Sequence, residues 1–125
     1  MKGVVFENLN DTKRITEKGW NIAIANFATQ GVGIFFRKQG IVGGKHYHKG
    51  NSPSRTPEHG VLISGKARFI CRNLDNGEEQ AFDAEAPTSW KIDPMIYHEM
   101  HMVTDCVFIE KTHKDDPTDF FYLND

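Results

Sequence analysis

The stretch from Gly43 to Gly65 reads GGKHYHKGNSPSRTPEHGVLISG, and our interpretation of the whole chain depends on it. His46 and His48 lie two residues apart, so their imidazoles would project from the same face of an extended strand. Glu58 follows across a loop, and His98 comes later in the chain after a proline. Three histidines and one glutamate that meet at one point are a known kind of site for a divalent metal.

Two segments of the chain resemble the two motifs of the cupin superfamily. The first segment, residues 43–65, has the order Gly, His-x-His, Glu and Gly, and the second, residues 90–98, reads WKIDPMIYH. In the family motif that the second segment resembles, a turn with a proline precedes the last histidine ligand, here His98. The resemblance covers roughly residues 32–110. It departs from the family in the spacer 49–57, which is longer than usual. It also departs in the second segment, where Asp93 and Met95 replace the common proline and glycine, and after it, where Met102 stands at a position in which Asn is frequent.

The resemblance implies a metal site and a ligand set. The ligands would be His46, His48, Glu58 and His98, and they would hold one divalent transition metal. This donor set suits Fe, Mn, Ni, Co, Cu and Zn, and it does not choose between them. Glu58 and His59 would face opposite ways on a strand, so only one can point inward, and the family pattern selects Glu58. The resemblance also implies a homodimer, with apolar surface offered by the N-terminal strands and the aromatic tail.

Short β-forming segments separated by Gly, Pro and Asn dominate the rest of the chain. The strands expected from this pattern are 4–6, 20–27, 32–38, 61–63, 66–74, 78–83, 89–92, 99–103 and 106–110. Asp75-Asn76-Gly77 is a strong hairpin signal, because Asn-Gly suits a turn with positive φ. Helical periodicity is weak, and only residues 12–18 or the tail are candidates for a helix. With the motifs, this pattern predicts an all-β double-stranded β-helix, the jelly-roll barrel of cupins.

Length and composition limit the possible organisation and partners. A chain of 125 residues suits one domain, here N-terminal strands 1–31, barrel core 32–110 and tail 111–125. The net charge is −2 and the basic residues are scattered, so we expect neither nucleic acid nor an anionic membrane as a partner. The sequence contains no apolar run of about 20 residues and no signal-peptide core. With two cysteines and no CxxC motif, we expect reduced thiols and a cytoplasmic protein.

Residues near the ligands in sequence could contact a small-molecule ligand. Met100 and Met102 would share a face with His98, where they form either part of a substrate wall or plain core. The loop 49–57 has no apolar face, so we expect it to run over the surface and be mobile. Arg55 lies near its middle and is either a cation that reaches an anionic ligand or a solvated side chain.

Two further residue groups have structural interpretations. Arg37 and Lys91 are expected at the solvated surface. The aromatic tail residues Phe120, Phe121 and Tyr122 could cover an edge of the barrel or contact a neighbouring subunit.

Three classes of function remain open at this point. The first is a metal-dependent enzyme, an isomerase, epimerase or dioxygenase, acting on a small polar molecule such as a sugar or carboxylic acid. The second is a small-molecule-binding module without turnover. The third is a metal-free sugar epimerase or isomerase resembling the cupins of nucleotide-sugar and capsular-polysaccharide pathways, in which His46 or His98 would act as acid or base. Fold alone does not decide between them.

Overall fold

The computed structural model describes residues 1–27, 30–112 and 117–123, and within these residues the chain forms ten β-strands. The strands are β1 (Lys13–Thr16), β2 (Gly19–Phe27), β3 (Gln30–Arg37), β4 (Val42–His46), β5 (Glu58–Ser64), β6 (Lys66–Asn73), β7 (Glu79–Glu85), β8 (Thr88–Ile92), β9 (Ile96–Met102) and β10 (Cys106–Thr112). A single 3-10 turn, Asn10–Thr12, precedes β1, and the described residues contain no α-helix. No helix in this part of the chain is long and apolar enough to cross a bilayer.

The strands form two antiparallel sheets. Six strands in the order β1-β2-β3-β10-β5-β8 make one sheet, and four in the order β4-β9-β6-β7 make the other. Neighbours in the sheets are often distant in sequence: β10 lies between β3 and β5, and β9 lies between β4 and β6. This arrangement confirms the predicted all-β jelly roll. The predicted Asn-Gly hairpin is also confirmed, because β6 and β7 pair across Asp75–Gly77.

The core lies between the sheets and follows from the alternation of side chains along the strands. In β5 the buried positions are Glu58, Gly60 and Leu62, and in β9 they are His98, Met100 and Met102. Two of these six residues, Glu58 and His98, are titratable, and they lie at the same end of the two buried faces, which are otherwise apolar. The core and the candidate site are therefore one continuous interior.

Some predictions about the two ends of the chain were wrong. Residues 4–6 form no strand, and Val5 and Phe6 are exposed. Residues 12–18 form the short strand β1 and a turn, because β1 pairs with β2 and this tertiary pairing outweighs a weak local helical signal. Of the predicted tail 111–125, residues 113–116 and 124–125 lie outside the described part of the chain. The division into three parts and the homodimer stay predictions.

The two cysteines form no disulfide. Cys106 is buried in the core and Cys71 is half-buried on β6, and both thiols are free, as expected.

Candidate metal centre

The four predicted ligands meet at one end of the barrel interior. His46 is the last residue of β4, Glu58 is the first residue of β5, His98 lies in β9, and His48 follows β4 by two residues. One donor atom from each side chain can be chosen so that all four atoms lie within 4.8 Å of one another. His48, Glu58 and His98 are buried and His46 is partly buried. The structure thus brings together the whole predicted set from β4, β5, β9 and the loop that follows β4.

Glu58 occupies the centre of this set. Its Oε1 lies 3.1 Å from Nε2 of His48 and 3.4 Å from Nε2 of His98. Its Oε2 accepts a hydrogen bond of 3.1 Å from the indole Nε1 of Trp90. The indole therefore holds one carboxylate oxygen and leaves the other directed at the histidines. Sequence reasoning missed Trp90, although the alternation along β8 places it on the same face as the buried Ile92.

Two glycines allow the strands to approach closely enough for this geometry. A Cβ on Gly44 would lie 2.9 Å from the backbone oxygen of His98, and Gly44 has a φ of +78°. Lys45 also has positive φ, and the pairing of β4 with β9 shifts between Gly44 and His46. A Cβ on Gly60 would lie 2.1 Å from the indole of Trp90. The shift in pairing is a β-bulge, and it sets the direction of His46. Gly60 has no side chain and therefore leaves space for the indole of Trp90.

The protonation of the cluster follows from burial and from the central carboxylate. Burial, assisted by His98 and His48, lowers the pKa of His46 to about 4, so its imidazole is neutral at neutral pH. Burial opposes ionisation of Glu58, but hydrogen bonds from His48 and His98 and the charge of Arg55 hold its pKa well below the usual value. Burial acts to lower the pKa of His98, and the hydrogen bond and charge of Glu58 reverse this and raise it. A metal binds neutral imidazoles and ionised carboxylates, so the lowered pKa values of His46 and Glu58 favour binding, whereas His98 with its raised pKa would release a proton when a metal binds.

A cavity of about 270 Å³ adjoins the cluster. Apolar side chains from both sheets line most of its wall: Phe35, Phe69, Trp90, Met100, Met102 and Phe108. Met100 and Met102 are buried in the core and also line the cavity. Their location therefore agrees both with core packing and with a substrate wall. Their contact with a substrate stays a prediction.

The loop 49–57 does not run over the surface as a whole. Ser52 and Ser54 are buried, and the Arg55 side chain is only 15% exposed. Nη1 of Arg55 donates to Oε2 of Glu110 at 3.1 Å and lies 4.0 Å from Oε1 of Glu58. The solvated interpretation of Arg55 was therefore wrong, because a carboxylate on β10 draws the guanidinium into the cavity.

The other two cations that were predicted at the surface, Lys91 and Arg37, differ in their exposure. Lys91 is exposed, as expected. Arg37 is partly buried and lines the cavity, with its guanidinium bonded to backbone oxygens of Trp20 and Phe36. The surface prediction was wrong for Arg37.

Sequence reasoning also missed Glu110, which lines the cavity opposite Arg55. Burial, and then the charge of Glu58, raises the pKa of Glu110 although Arg55 opposes the shift. The alternation of side chains along β10 could have identified Glu110. Cys106, Phe108 and Glu110 occupy alternate positions, and the first two are buried.

Two histidines next to the candidate ligands in sequence, His59 and His101, do not line the cavity, and for His59 this was predicted. Nε2 of His101 is 2.8 Å from Oε1 of Glu99, and His101 does not line the cavity. His59 is likewise absent from the cavity wall, so the register along β5 directs Glu58 inward.

The comparisons with known proteins agree with this geometry. No family model and no curated protein matches the chain. Among solved structures, the chain is similar to the capsular polysaccharide assembling protein CapF from Staphylococcus aureus, with a TM-score of 0.73, 21% identity and coverage of 89% of this chain and 32% of CapF. It is also similar to the formate complex of Lactobacillus farciminis oxalate decarboxylase, with a TM-score of 0.71, 23% identity and coverage of 98% and 38%.

A deletion mutant of Bacillus subtilis oxalate decarboxylase OxdC gives a TM-score of 0.72 at 18% identity, covering 98% of this chain and 34% of that one. The chain thus spans about a third of the length of each of these proteins. At these identities the similarity concerns the fold. Together with the two sheets and the cluster of three histidines and one glutamate, it shows that the chain has the cupin fold.

Proposed function

We propose that this cupin binds one divalent transition metal through His46, His48, Glu58 and His98, and acts on a small acidic molecule in the adjoining cavity. The observation that carries the proposal is the convergence of these four donors within 4.8 Å beside an arginine, Arg55, whose side chain is only 15% exposed. A carboxylic acid or an acidic sugar is the substrate class that fits this combination of charges.

The donor set supports the metal part of the proposal. Three imidazoles and one carboxylate suit first-row transition metals and leave positions in the coordination sphere for a ligand. The other nitrogens of two histidines already have acceptors, because Nδ1 of His98 lies 3.0 Å from the Ile96 oxygen and Nδ1 of His48 lies 2.6 Å from the Asp119 oxygen. Such outer contacts set the orientation of histidine ligands. A metal bound here supplies a Lewis acid that polarises a carboxylate or carbonyl oxygen.

The residues of the cavity support the substrate class. Arg55 would receive the negative group of the molecule, because its guanidinium lines the cavity, is largely shielded from water and has more N–H donors than the one that bonds Glu110. The carboxyl of Glu110, with its raised pKa, would hold or release a proton beside the bound molecule. The apolar wall of Phe35, Phe108 and Met100 would exclude water and accept a short carbon skeleton.

The similar structures support two versions of the proposal. Oxalate decarboxylase is named for a small dicarboxylate and was solved with formate, which favours a carboxylic acid. CapF is named for capsular polysaccharide assembly, which favours a sugar and the metal-free alternative. The partly buried cation at Arg55 makes us prefer the acid.

Titration with Co²⁺ tests the metal part directly. We expect one ion per chain and the visible absorption of a cobalt ion with nitrogen and oxygen ligands. A protein that binds no Co²⁺, Mn²⁺, Ni²⁺ or Zn²⁺ at a defined ratio would exclude the proposal and favour metal-free sugar chemistry.

Replacing Arg55 with alanine is expected to weaken the binding of small carboxylates, measured by calorimetry with formate, oxalate and malonate. A charge-assisted hydrogen bond lost from a shielded site corresponds to a loss of on the order of 10- to 100-fold in affinity. Metal content should not change. Arg68→Ala is the matched control, because Arg68 also forms an ion pair, with Asp83 at 3.1 Å, but on the exposed face of the four-stranded sheet. Equal affinities in Arg55→Ala and Arg68→Ala would exclude Arg55 from ligand binding.

A further inference from the structure

A segment near the end of the chain, Asp119–Phe121, is built into the candidate metal centre. The carboxylate of Asp119 is fully buried and accepts backbone N–H groups of Lys49 at 2.8 Å, Gly50 at 3.1 Å and Ser52 at 3.0 Å. These three amides belong to the loop that joins His48 to Glu58. Asp119 therefore holds in place the loop between two of the candidate ligands.

The backbone of Asp119 contacts a candidate ligand directly. Nδ1 of His48 lies 2.6 Å from the carbonyl oxygen of Asp119. A carbonyl oxygen can only accept, so Nδ1 carries the hydrogen and the ring directs Nε2 toward Glu58. The orientation of His48 is thus determined by a residue that lies 71 positions further along the chain.

Phe120 covers the cluster from outside. Its ring centroid lies 5.0 Å from that of His46 and 5.3 Å from that of His48, in both cases with steeply inclined planes. The guanidinium of Arg55 lies 5.6 Å from the same ring. Phe120 lines the cavity and is 40% exposed, so it separates the histidines from solvent.

Phe121 holds the segment to the strand end that carries the histidines. It exchanges two backbone hydrogen bonds with Tyr47, of 2.9 Å and 3.0 Å, and Lys49 Nζ lies 4.1 Å from its ring centroid. Since Tyr47 lies between His46 and His48, the segment extends the sheet at the position where two candidate ligands are presented.

We propose that Asp119–Phe121, which we call the clasp, is a positioning element of the metal centre, so that clasp docking and metal binding stabilise each other. The inference rests on the proposed metal site. The clasp presents Nε2 of His48, holds the loop before Glu58 and shields His46 with Phe120. Because coupling between two binding events is reciprocal, a bound metal must also stabilise the docked clasp.

The first test uses the unmodified protein. Amide hydrogen exchange is followed by mass spectrometry with and without saturating Zn²⁺ or Co²⁺. We expect the metal to slow exchange at Tyr47, Lys49 and Phe121, whose amide hydrogens lie at the clasp contacts. Strand β1, which lies at the outer edge of the six-stranded sheet and pairs with β2, serves as the internal reference and should not change.

The second test uses Asp119→Asn, which keeps the size of the side chain and removes the charge that the three amides share. Outer contacts to metal ligands typically contribute 10- to 100-fold in affinity, and we expect a loss of about that size for Zn²⁺ in this variant. Asp105→Asn is the matched control, because Asp105 also accepts a backbone amide, that of Gln39 at 2.8 Å, but lies away from the cluster.

The outcomes separate the two proposals. A wild-type chain that binds no metal overturns both the metal centre and the clasp. A chain that binds metal with unchanged exchange at the clasp overturns the clasp alone, as does an Asp119→Asn variant with unchanged metal affinity. A purely structural role would lower the stability of the variant without making clasp exchange depend on metal.

Discussion

Replacing Glu58 with glutamine is expected to lower the affinity for a divalent metal by about 100-fold or more, since the loss of one partner of a buried charge pair typically costs several kcal/mol. Oε1 of Glu58 lies within 3.4 Å of Nε2 of both His48 and His98, so a neutral amide removes the negative charge that is in contact with both histidines. Glutamine keeps the volume of the side chain and still offers an oxygen to Trp90. Metal content after dialysis and Co²⁺ titration measure the effect.

Glu99→Gln is the control for this substitution. Glu99 also contacts a histidine, at 2.8 Å from His101, and accepts a hydrogen bond from Tyr97 at 2.6 Å, but it lies outside the cavity. Its replacement should leave metal affinity unchanged. Equal metal binding in Glu58→Gln and wild type would show that the cluster of histidines is not the metal centre.

Replacing Leu62 with alanine is expected to lower the free energy of unfolding by about 2–5 kcal/mol, the range for removing a large aliphatic side chain from a packed core. Leu62 is completely buried, and it lies on β5 on the same face as Glu58 and Gly60. Denaturant unfolding, with the slope compared between variant and wild type, measures the effect.

Ile63→Ala is the matched control, because Ile63 is the next residue of β5 and is 51% exposed. We expect its replacement to change stability by about 0.5 kcal/mol or less. The pair also tests the register of β5, since a slip of one residue would exchange the two effects and direct His59 instead of Glu58 inward. Similar losses in both variants would contradict the inward face that places Glu58 in the site.

Local pattern in the sequence was sufficient to predict much of the fold. The expected strands 20–27 and 106–110 agree with β2 and β10, and the expected turn at Asp75–Gly77 agrees with the hairpin between β6 and β7. These features depend on neighbours within a few residues, because side chains of a strand alternate between faces and Asn-Gly favours positive φ. The same logic failed at residues 4–6, which have β-forming side chains but pair with no strand in the part of the chain that the structure describes.

The candidate ligands could also be found from sequence. His46 and His48 share a face through spacing alone, and their ring centroids lie 4.9 Å apart in the structure. Joining Glu58 and His98 to them required the resemblance to cupin motifs, because no local rule states that β5 and β9 meet β4 at this end of the barrel.

The sequence alone therefore determined the all-β class, most of the strands, the hairpin turn and the shared face of His46 and His48. Only the tertiary structure decided what surrounds them: Arg55 with Glu110, 55 positions apart, and His48 with Asp119, 71 positions apart. The physical reason is the range of the interactions. Side-chain facing and turn type are set by the backbone within a few residues. The contacts of the cavity form only when two sheets close around a common core, and the partners of a buried charge are then set by sheet order.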